Sequence, residues 1–321
     1  NKKVAQKKKV VKKAVKKNTP TKKVAQKSKV VKKAAKVVRS ASIDSDIFYR
    51  RPQPFRSDLL EVPYHRSSIN ISGIGFDKEM KLSAAGVKTL DAFIELGANG
   101  VAEIFGVNLN FAQSFIVKAK AAKDQKVYAI QPLSRLDDNA IMLDIETDYF
   151  EAKYANKTAW MVGMYDRPTA QFVQYVATNE SEVMGIIEQT YEFLNSFSDR
   201  KIIVYSGSNF DATILKHRFE TYNRTHNHLD FKDILIEMRK CLAFPFKSMD
   251  LESVAEHYEY KFKHPHIDGQ EVGLAWESHK HNMKKHRSFG HYLEYNEDDV
   301  KALDMVYENI YIKNNYHSLN G

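Results

Sequence analysis

The sequence predicts an α/β protein: a mixed β-sheet with flanking helices, preceded by a small all-α segment and a disordered basic tail. Two observations carry this prediction. From about residue 136 onward, apolar runs of strand length alternate with longer helical patterns, whereas the first forty residues are dominated by lysine, valine and alanine. Hydrophobic residues make up 43% of the 321 positions, so the chain can bury a sizeable core and is not disordered throughout.

The tail is basic and repetitive. Residues 1–40 hold 16 lysines, one arginine and no acidic residue, so they carry +17 while the rest of the chain carries −8 of the net +9. The motif Lys-Lys-Val-Ala-Gln-Lys at 2–7 returns at 22–27. Such charge density repels itself and predicts disorder over 1–42. On a polyanion these charges would release counterions, which favours sequence-independent nucleic-acid binding over a purely solubilising or localising role.

A linker is expected at 43–68, followed by a helical domain at 69–125. In that domain, short helices are joined by the turns Ala85-Gly86-Val87 and Phe105-Gly106-Val107, where we expect glycine to allow tight geometry and leave amides free. The alternative is a helical module for protein contacts or stability. The candidate nucleic-acid contacts here are Gly86, Lys88, Gly106, Lys118 and Lys120.

The second domain is expected over 136–321. Apolar or alternating segments predict strands at 140–146, 157–165, 170–177 and 201–206, and helical spacing predicts helices at 180–197, 210–222, 231–241, 250–259, 271–284 and 288–313. Three strands in succession, then helix, strand and helices, favour a mixed sheet with helical cover.

Three separated places in this domain carry acids on core elements. Asp144 and Glu146 lie two apart on the first strand, so both side chains leave the same face. Asp211 follows the apolar strand at 201–206, although Asn209 and Asp211 are equally consistent with plain N-caps of the next helix.

The third place is a helix on which Tyr295 and Asp299, four apart, share one face. A solvated acidic face is the alternative, because Glu294, Glu297 and Asp298 are neighbours. Acids on core elements are costly without a positive partner, and divalent cations are the usual one. The four carboxylates therefore suggest a two-metal phosphodiesterase site.

With these motifs in order, residues 136–313 resemble a ribonuclease H-like 3′–5′ exonuclease domain of the DEDD (DnaQ-like) superfamily. The tyrosine four residues before the last aspartate resembles its DEDDy branch, since the sister branch has histidine where this chain has Glu294. Asp233, with 251–255 and 267–272, further resembles RecB-type predicted nucleases. Some of those carry helix-hairpin-helix segments, and residues 69–125 resemble a tandem helix-hairpin-helix domain.

The resemblance implies hydrolysis of phosphodiester bonds with two Mg²⁺ or Mn²⁺ ions. Asp144, Glu146, Asp211 and Asp299 would be the metal ligands, with Asp144 bridging both ions and Tyr295 orienting the attacking water. Asn209 would contact nucleic acid. The expected function is a 3′–5′ exonuclease in DNA repair, replication or nucleic-acid processing. Its expected partner is DNA rather than RNA.

The sequence is also consistent with a different function. The chain could instead be a catalytically inactive or structural nucleic-acid-binding protein that acts through the tail and the helical domain. The histidines at 264, 266, 279, 281, 286 and 291 are read as surface or substrate-facing rather than zinc ligands, because the one cysteine, Cys241, offers no cysteine-rich zinc site. No apolar run has membrane-spanning length, so we expect no membrane partner and a cytoplasmic, nucleoid or nuclear location, not secretion.

Overall fold

A computed structural model describes residues 69–318 apart from Ala152. The predicted tail at 1–42 and linker at 43–68 lie outside the described residues. Within the described residues, no helix is both long enough and apolar enough to cross a membrane.

Three helices open the described part: α1 (Phe76–Ala84), α2 (Leu90–Phe105) and α3 (Leu109–Asp124). Side-chain caps begin two of them, because Thr89 Oγ1 accepts the N–H of Ala92 and Asn108 Oδ1 accepts that of Phe111. Gly97 has φ 67° and ψ 176°, which breaks α2 into two halves. The segment therefore consists of two helix pairs, one on each side of the break.

The glycine turns between these helices differ from expectation. Gly86 and Gly106 adopt left-handed φ of 76° and 70°, as predicted for tight turns. Their amides are not free, however. Those of Gly86 and Val87 donate to carbonyls of α1, and those of Gly106 and Val107 both donate to Ala102 O. These donors close the ends of the preceding helices.

In the rest of the described residues, the elements include two sheets and six further α-helices. The strands are β1 (Tyr128–Ala129), β2 (Ala140–Thr147), β3 (Ala159–Asp166), β4 (Gln171–Val176), β5 (Lys201–Val204), β6 (Asp230–Asp233) and β7 (Leu242–Ala243). The helices are α4 (Val183–Ser196), α5 (Phe210–Thr221), α6 (Ile234–Cys241), α7 (Leu251–His257), α8 (Gly269–His279) and α9 (Phe289–Tyr307), the last continued by a π-helical turn at Glu308–Ile312.

The main sheet has the order β4-β3-β2-β5-β6. β4, β3 and β2 are antiparallel neighbours, whereas β5 and β6 run parallel to β2. The predicted mixed sheet with helical cover is confirmed. One predicted element is wrong: residues 230–233 form the edge strand β6, and the helix expected at 231–241 begins only at Ile234.

Alternation along β2 separates two hydrophobic cores. Ile141, Leu143 and Ile145 face one core, which is built largely on α4, α5 and α8. Ala140 and Met142 face the other, which includes α6, α7 and most of α9. Asp144 and Glu146 continue the second row by strand periodicity, so they point to the side of the sheet that α9 covers.

α9 lies very close to the centre of the sheet. A Cβ added at Gly163 of β3 would overlap Oδ1 of Asn296 and lie 2.9 Å from Cγ2 of Val300, both on α9. Only glycine therefore fits at this position of β3.

We expect Gly163→Ala to lower the free energy of unfolding by about 1–3 kcal/mol, because the methyl group would overpack the contact with α9. Denaturant unfolding followed by circular dichroism measures the change. Gly185→Ala in α4 is the matched control, since nothing lies within 4 Å of its added Cβ. It should be neutral or should stabilise by up to about 1 kcal/mol. Equal effects of the two substitutions would contradict the close packing of α9.

Candidate metal centre

The acids of β2 lie at the carboxyl end of the central strand. β5 pairs with β2 only at residues 140–142, so beyond Met142 the β5-side edge of β2 borders an open cleft, while its other edge stays paired with β3. Glu146 is 5% exposed, and Asp144 is partly buried. Both side chains leave the same face, as the sequence predicts.

α9 brings the third carboxylate to this point. Ligand-capable oxygens of Asp144, Glu146 and Asp299 all lie within 4.8 Å of one another. The Tyr295 hydroxyl, one helical turn before Asp299, is hydrogen-bonded to the Asp299 carboxylate. Two elements far apart in sequence thus share one acidic cluster.

Asp211 approaches from the neighbouring parallel strand. β5 ends at the same edge as β2, and α5 begins at Phe210, so Asp211 lies in the first helical turn and is 5% exposed. The backbone N–H groups of Asp211 itself and of Ile145 favour its ionised form and partly offset the rise in pKa that burial causes. A cleft of about 280 Å³ is lined by all four acids and Tyr295, together with Ser206, Phe210 and Gly269.

The turn that aims Asp211 is organised by Asp233, at the end of β6. Its carboxylate accepts hydrogen bonds from the N–H and hydroxyl of Ser206 and from the N–H groups of Asn209 and Leu235, at 2.8–3.3 Å. Asp233 is 6% exposed, so these bonds are shielded from water. The sequence pointed to Asp233 only by resemblance. Its contacts are with the turn between β5 and α5.

Burial raises the pKa of all four carboxyl groups. For Asp144 and Glu146 the pKa lies well above the ordinary value, because burial acts together with the charges of the other acids in the cluster. Mainly through burial, the pKa of Asp211 rises to about 6 and that of Asp299 to about 7. Burial and the Asp299 charge raise the pKa of Tyr295 so far that its hydroxyl stays protonated at neutral pH.

This electrostatic state fits a cation. Within residues 69–318 apart from 152, no basic side chain forms an ion pair with Asp144, Glu146, Asp211 or Asp299. Buried carboxylates in their ionised form need compensation, and a cluster of hard oxygen ligands suits Mg²⁺ or Mn²⁺ better than zinc. The residues present therefore fit divalent cations.

Helix capping and a solvated acidic face, the alternatives considered for these acids, do not match the observed contacts. Asn209 occupies the N-cap position of α5 with φ 55°, but its side chain makes no capping bond, and Asp211 lies inside the helix. The face around Asp299 is not simply solvated either. Asp298 is 3% exposed and accepts bonds from the Tyr260 hydroxyl and the Lys263 N–H.

Most of the predicted nucleic-acid contacts lie outside this cleft. Asn209 is exposed beside the cleft, while Gly86, Lys88, Gly106, Lys118 and Lys120 all belong to the α1–α3 segment. Lys118 is turned inward, with Nζ bonded to Ser72 O at 3.4 Å and placed 5.5 Å from the centre of the Phe115 ring. Burial lowers its pKa.

Four of the six clustered histidines pack as two pairs. In the described part of the chain, the group of at least three close ligand residues contains only carboxylates. His264 is bonded to Glu294 and packs against His291, and His279 packs against His286. His264 also lines a smaller cavity of about 180 Å³, which shares Tyr295 and Asp299 with the cleft.

Two residues beside the acids were missed from the sequence. Asn296 is fully buried and donates to the Asp144 carboxylate, and Gln174 donates to Asn296. Helical spacing could have placed Asn296, three residues before Asp299, near the cleft face of α9. Gln174 had no such signal.

The sequence and the structure were each matched to known proteins. A sequence model of the RNase_H superfamily matches residues 141–311, more than half of the chain. Among solved structures, the chain is similar to the family B DNA polymerase from the hyperthermophilic archaeon Pyrobaculum calidifontis, with 16% identity and a TM-score of 0.44. That match covers 56% of this chain and 25% of the polymerase, so the chain spans about a quarter of its length. No curated protein sequence matches the chain.

The raised pKa values predict that the metal-free protein loses stability as pH rises. A carboxyl group whose pKa is higher in the folded than in the unfolded state favours folding at low pH, and this contribution is lost as pH rises through about 6–7. We therefore expect Glu146→Gln to raise the free energy of unfolding at pH 8 by at least about 1 kcal/mol, and by much less at pH 5. Urea unfolding in EDTA measures both values.

Asp298→Asn supplies the matched control. Asp298 is as buried as Glu146 but has donors for both oxygens, so its substitution should destabilise the protein at both pH values. A Glu146→Gln protein less stable than the wild type at pH 8 would show that the cluster is not under electrostatic strain.

Proposed function

Because the chain belongs to the RNase_H superfamily, we propose that it is a metal-dependent nuclease that hydrolyses phosphodiester bonds of DNA. One observation carries the proposal: carboxylates from β2, α5 and α9 converge on a single cleft without a basic partner among the described residues. A polyanionic substrate would be repelled by such a cleft unless cations occupied it.

Asp144, Glu146, Asp211 and Asp299 would hold two Mg²⁺ or Mn²⁺ ions. When bound, such ions lower the pKa of a water molecule and stabilise charge on the leaving oxygen. The side chains contribute position: β2 fixes two ligands on one face, and the α5 and α9 ligands come from elements packed against the same sheet.

Tyr295 would orient the attacking water rather than remove its proton. Its hydroxyl remains a phenol at neutral pH, because burial and the Asp299 charge oppose ionisation. When its one proton is directed to the Asp299 carboxylate, the hydroxyl oxygen can still accept a hydrogen bond from a water molecule. This role supports assignment to the DEDDy branch and thus 3′–5′ exonuclease action.

The α1–α3 segment would hold the nucleic-acid backbone. Its two helix pairs, each with a left-handed glycine in the turn, support the tandem helix-hairpin-helix interpretation. Because the glycine amides are already bonded, contact would use those first-turn amides of α2 and α3 that the Thr89 and Asn108 caps leave free, with Lys88 and Lys120 as added charge. The tail at 1–42 would add salt-dependent affinity for nucleic acid. The nuclease would act in DNA repair, replication or nucleic-acid processing.

We expect the full chain to release mononucleotides from end-labelled DNA when Mg²⁺ or Mn²⁺ is present and not in EDTA. Asp144→Asn should lower the rate by at least about 100-fold, because it removes a charged ligand at the centre of the cluster. Substrates labelled at the 3′ or 5′ end, in single- and double-stranded DNA and in RNA, determine polarity and substrate class.

Glu297→Gln is the matched control on α9, since its carboxylate pairs with Lys301 outside the cleft. It should keep wild-type activity. Nucleic-acid binding without any metal-dependent cleavage would favour the inactive, structural alternative. Cleavage that persists in Asp144→Asn would place the active site elsewhere.

Removal of residues 1–40 should weaken DNA binding and flatten its salt dependence, because each lost phosphate contact reduces the slope of log K against log salt by about 0.9. The metal requirement for cleavage should not change. Fluorescence anisotropy from 50 to 300 mM salt, on the full and shortened chains, measures both slopes. Identical slopes would exclude the tail from the interface.

A further inference from the structure

Asn296 lies on α9 between Tyr295 and Asp299 and is 0% exposed. A fully buried amide must satisfy its hydrogen bonds within the protein, or it costs free energy. Its neighbours therefore show what the side chain does.

Both ends of the Asn296 amide have defined partners. Nδ2 donates to Oδ2 of Asp144 at 2.7 Å, and Oδ1 accepts from Nε2 of Gln174 at 2.9 Å. Gln174 also donates to Leu293 O at 3.0 Å, which ties it to α9. Since Gln174 presents a donor to the oxygen of Asn296, the NH₂ group of Asn296 must face Asp144.

The partners form one row across three strands. Asp144 of β2 pairs with Gly163 of β3, and Gly163 pairs with Gln174 of β4. Because Gly163 has no side chain, Asn296 rests directly on the row and Gln174 reaches it over the gap. The row thus joins the strand that carries two acids to the helix that carries Tyr295 and Asp299.

We infer that Asn296 is a positioning residue of the metal centre, which holds Asp144 and α9 in the arrangement that binds cations. Its bond occupies one oxygen of Asp144, and the described part of the chain contains no side-chain hydrogen bond to the other. Its contact with the row fixes α9 against β2, so Asp299 keeps its distance from Asp144 and Glu146. The inference rests on the proposed function, because it concerns the affinity for the proposed ions.

A purely structural amide would behave differently from a positioning one. Loss of a buried hydrogen bond lowers stability wherever it occurs, but only a residue that orients a ligand also changes cation affinity. Cation affinity measured separately from unfolding therefore distinguishes the two roles.

The test uses the full chain and Mn²⁺ alone, with affinity from isothermal titration calorimetry at fixed pH and stability from urea unfolding in EDTA. Asn296→Leu keeps a similar volume and removes both bonds, and we expect it to weaken Mn²⁺ binding by about 10–100-fold. Gln174→Leu keeps Asn296 but frees its amide to rotate, and should weaken binding by a smaller factor.

Thr190→Val is the matched control. Thr190 is also 0% exposed, but its hydroxyl bonds Ile186 O within α4, away from the cleft. It should change stability without changing Mn²⁺ affinity. If Asn296→Leu does not fold, Gln174→Leu decides the question with the same readout.

Asp144→Asn distinguishes a failure of the proposed metal centre from a failure of the positioning role of Asn296. Wild-type Mn²⁺ affinity in Asp144→Asn would overturn the metal centre itself, and with it the proposed function. Weak binding in Asp144→Asn, combined with wild-type affinity in Asn296→Leu or, should that variant not fold, in Gln174→Leu, would overturn only the positioning role.

Discussion

Negative charge held out of water at one end of the sheet is the constraint on which the rest of the structure depends. Asp144, Glu146, Asp211 and Asp299 gather where β2 and β5 end, and none has a basic partner in the described residues. Such an arrangement is unfavourable for folding by itself. One hydrophobic core on each side of β2 offsets this cost, and every acid belongs to a strand or a helix.

Two polar networks hold the acids in place from opposite directions. On one side, Asp233 binds the turn that leads into α5, and on the other, Asn296 and Gln174 bind α9 to the strands. Each network centres on a buried, hydrogen-bonded side chain, Asp233 in one and Asn296 in the other, and satisfied buried polar groups make a structure rigid. Hydrogen bonds therefore hold both sides of the cleft, including the turn between β5 and α5.

Much of the fold was predictable, because apolar runs and helical periodicity dominate the sequence from residue 136. The edge strand β6 was not, since Asp230-Phe231-Lys232-Asp233 is mostly polar and continues directly into a helix. The candidate acids were predictable from spacing. Why Asp299 faces the cleft while Asp298 is buried among Tyr260 and Lys263 depends on the helical phase, which Tyr295 indicates. Gln174 could not be found, because its role exists only through the register of three strands.

Because Gly163 has no side chain, the residue allowed at position 163 depends on whether Asn296 and Asp144 are kept. In a relative without Asp144, an amide at position 296 would have no carboxylate to orient. A small residue at position 296 would then leave space for a side chain at position 163. The constraint on Gly163 would then disappear. Among related chains, glycine opposite the first aspartate should therefore accompany the complete acid set, and its replacement should mark lineages in which the cleft has been given up.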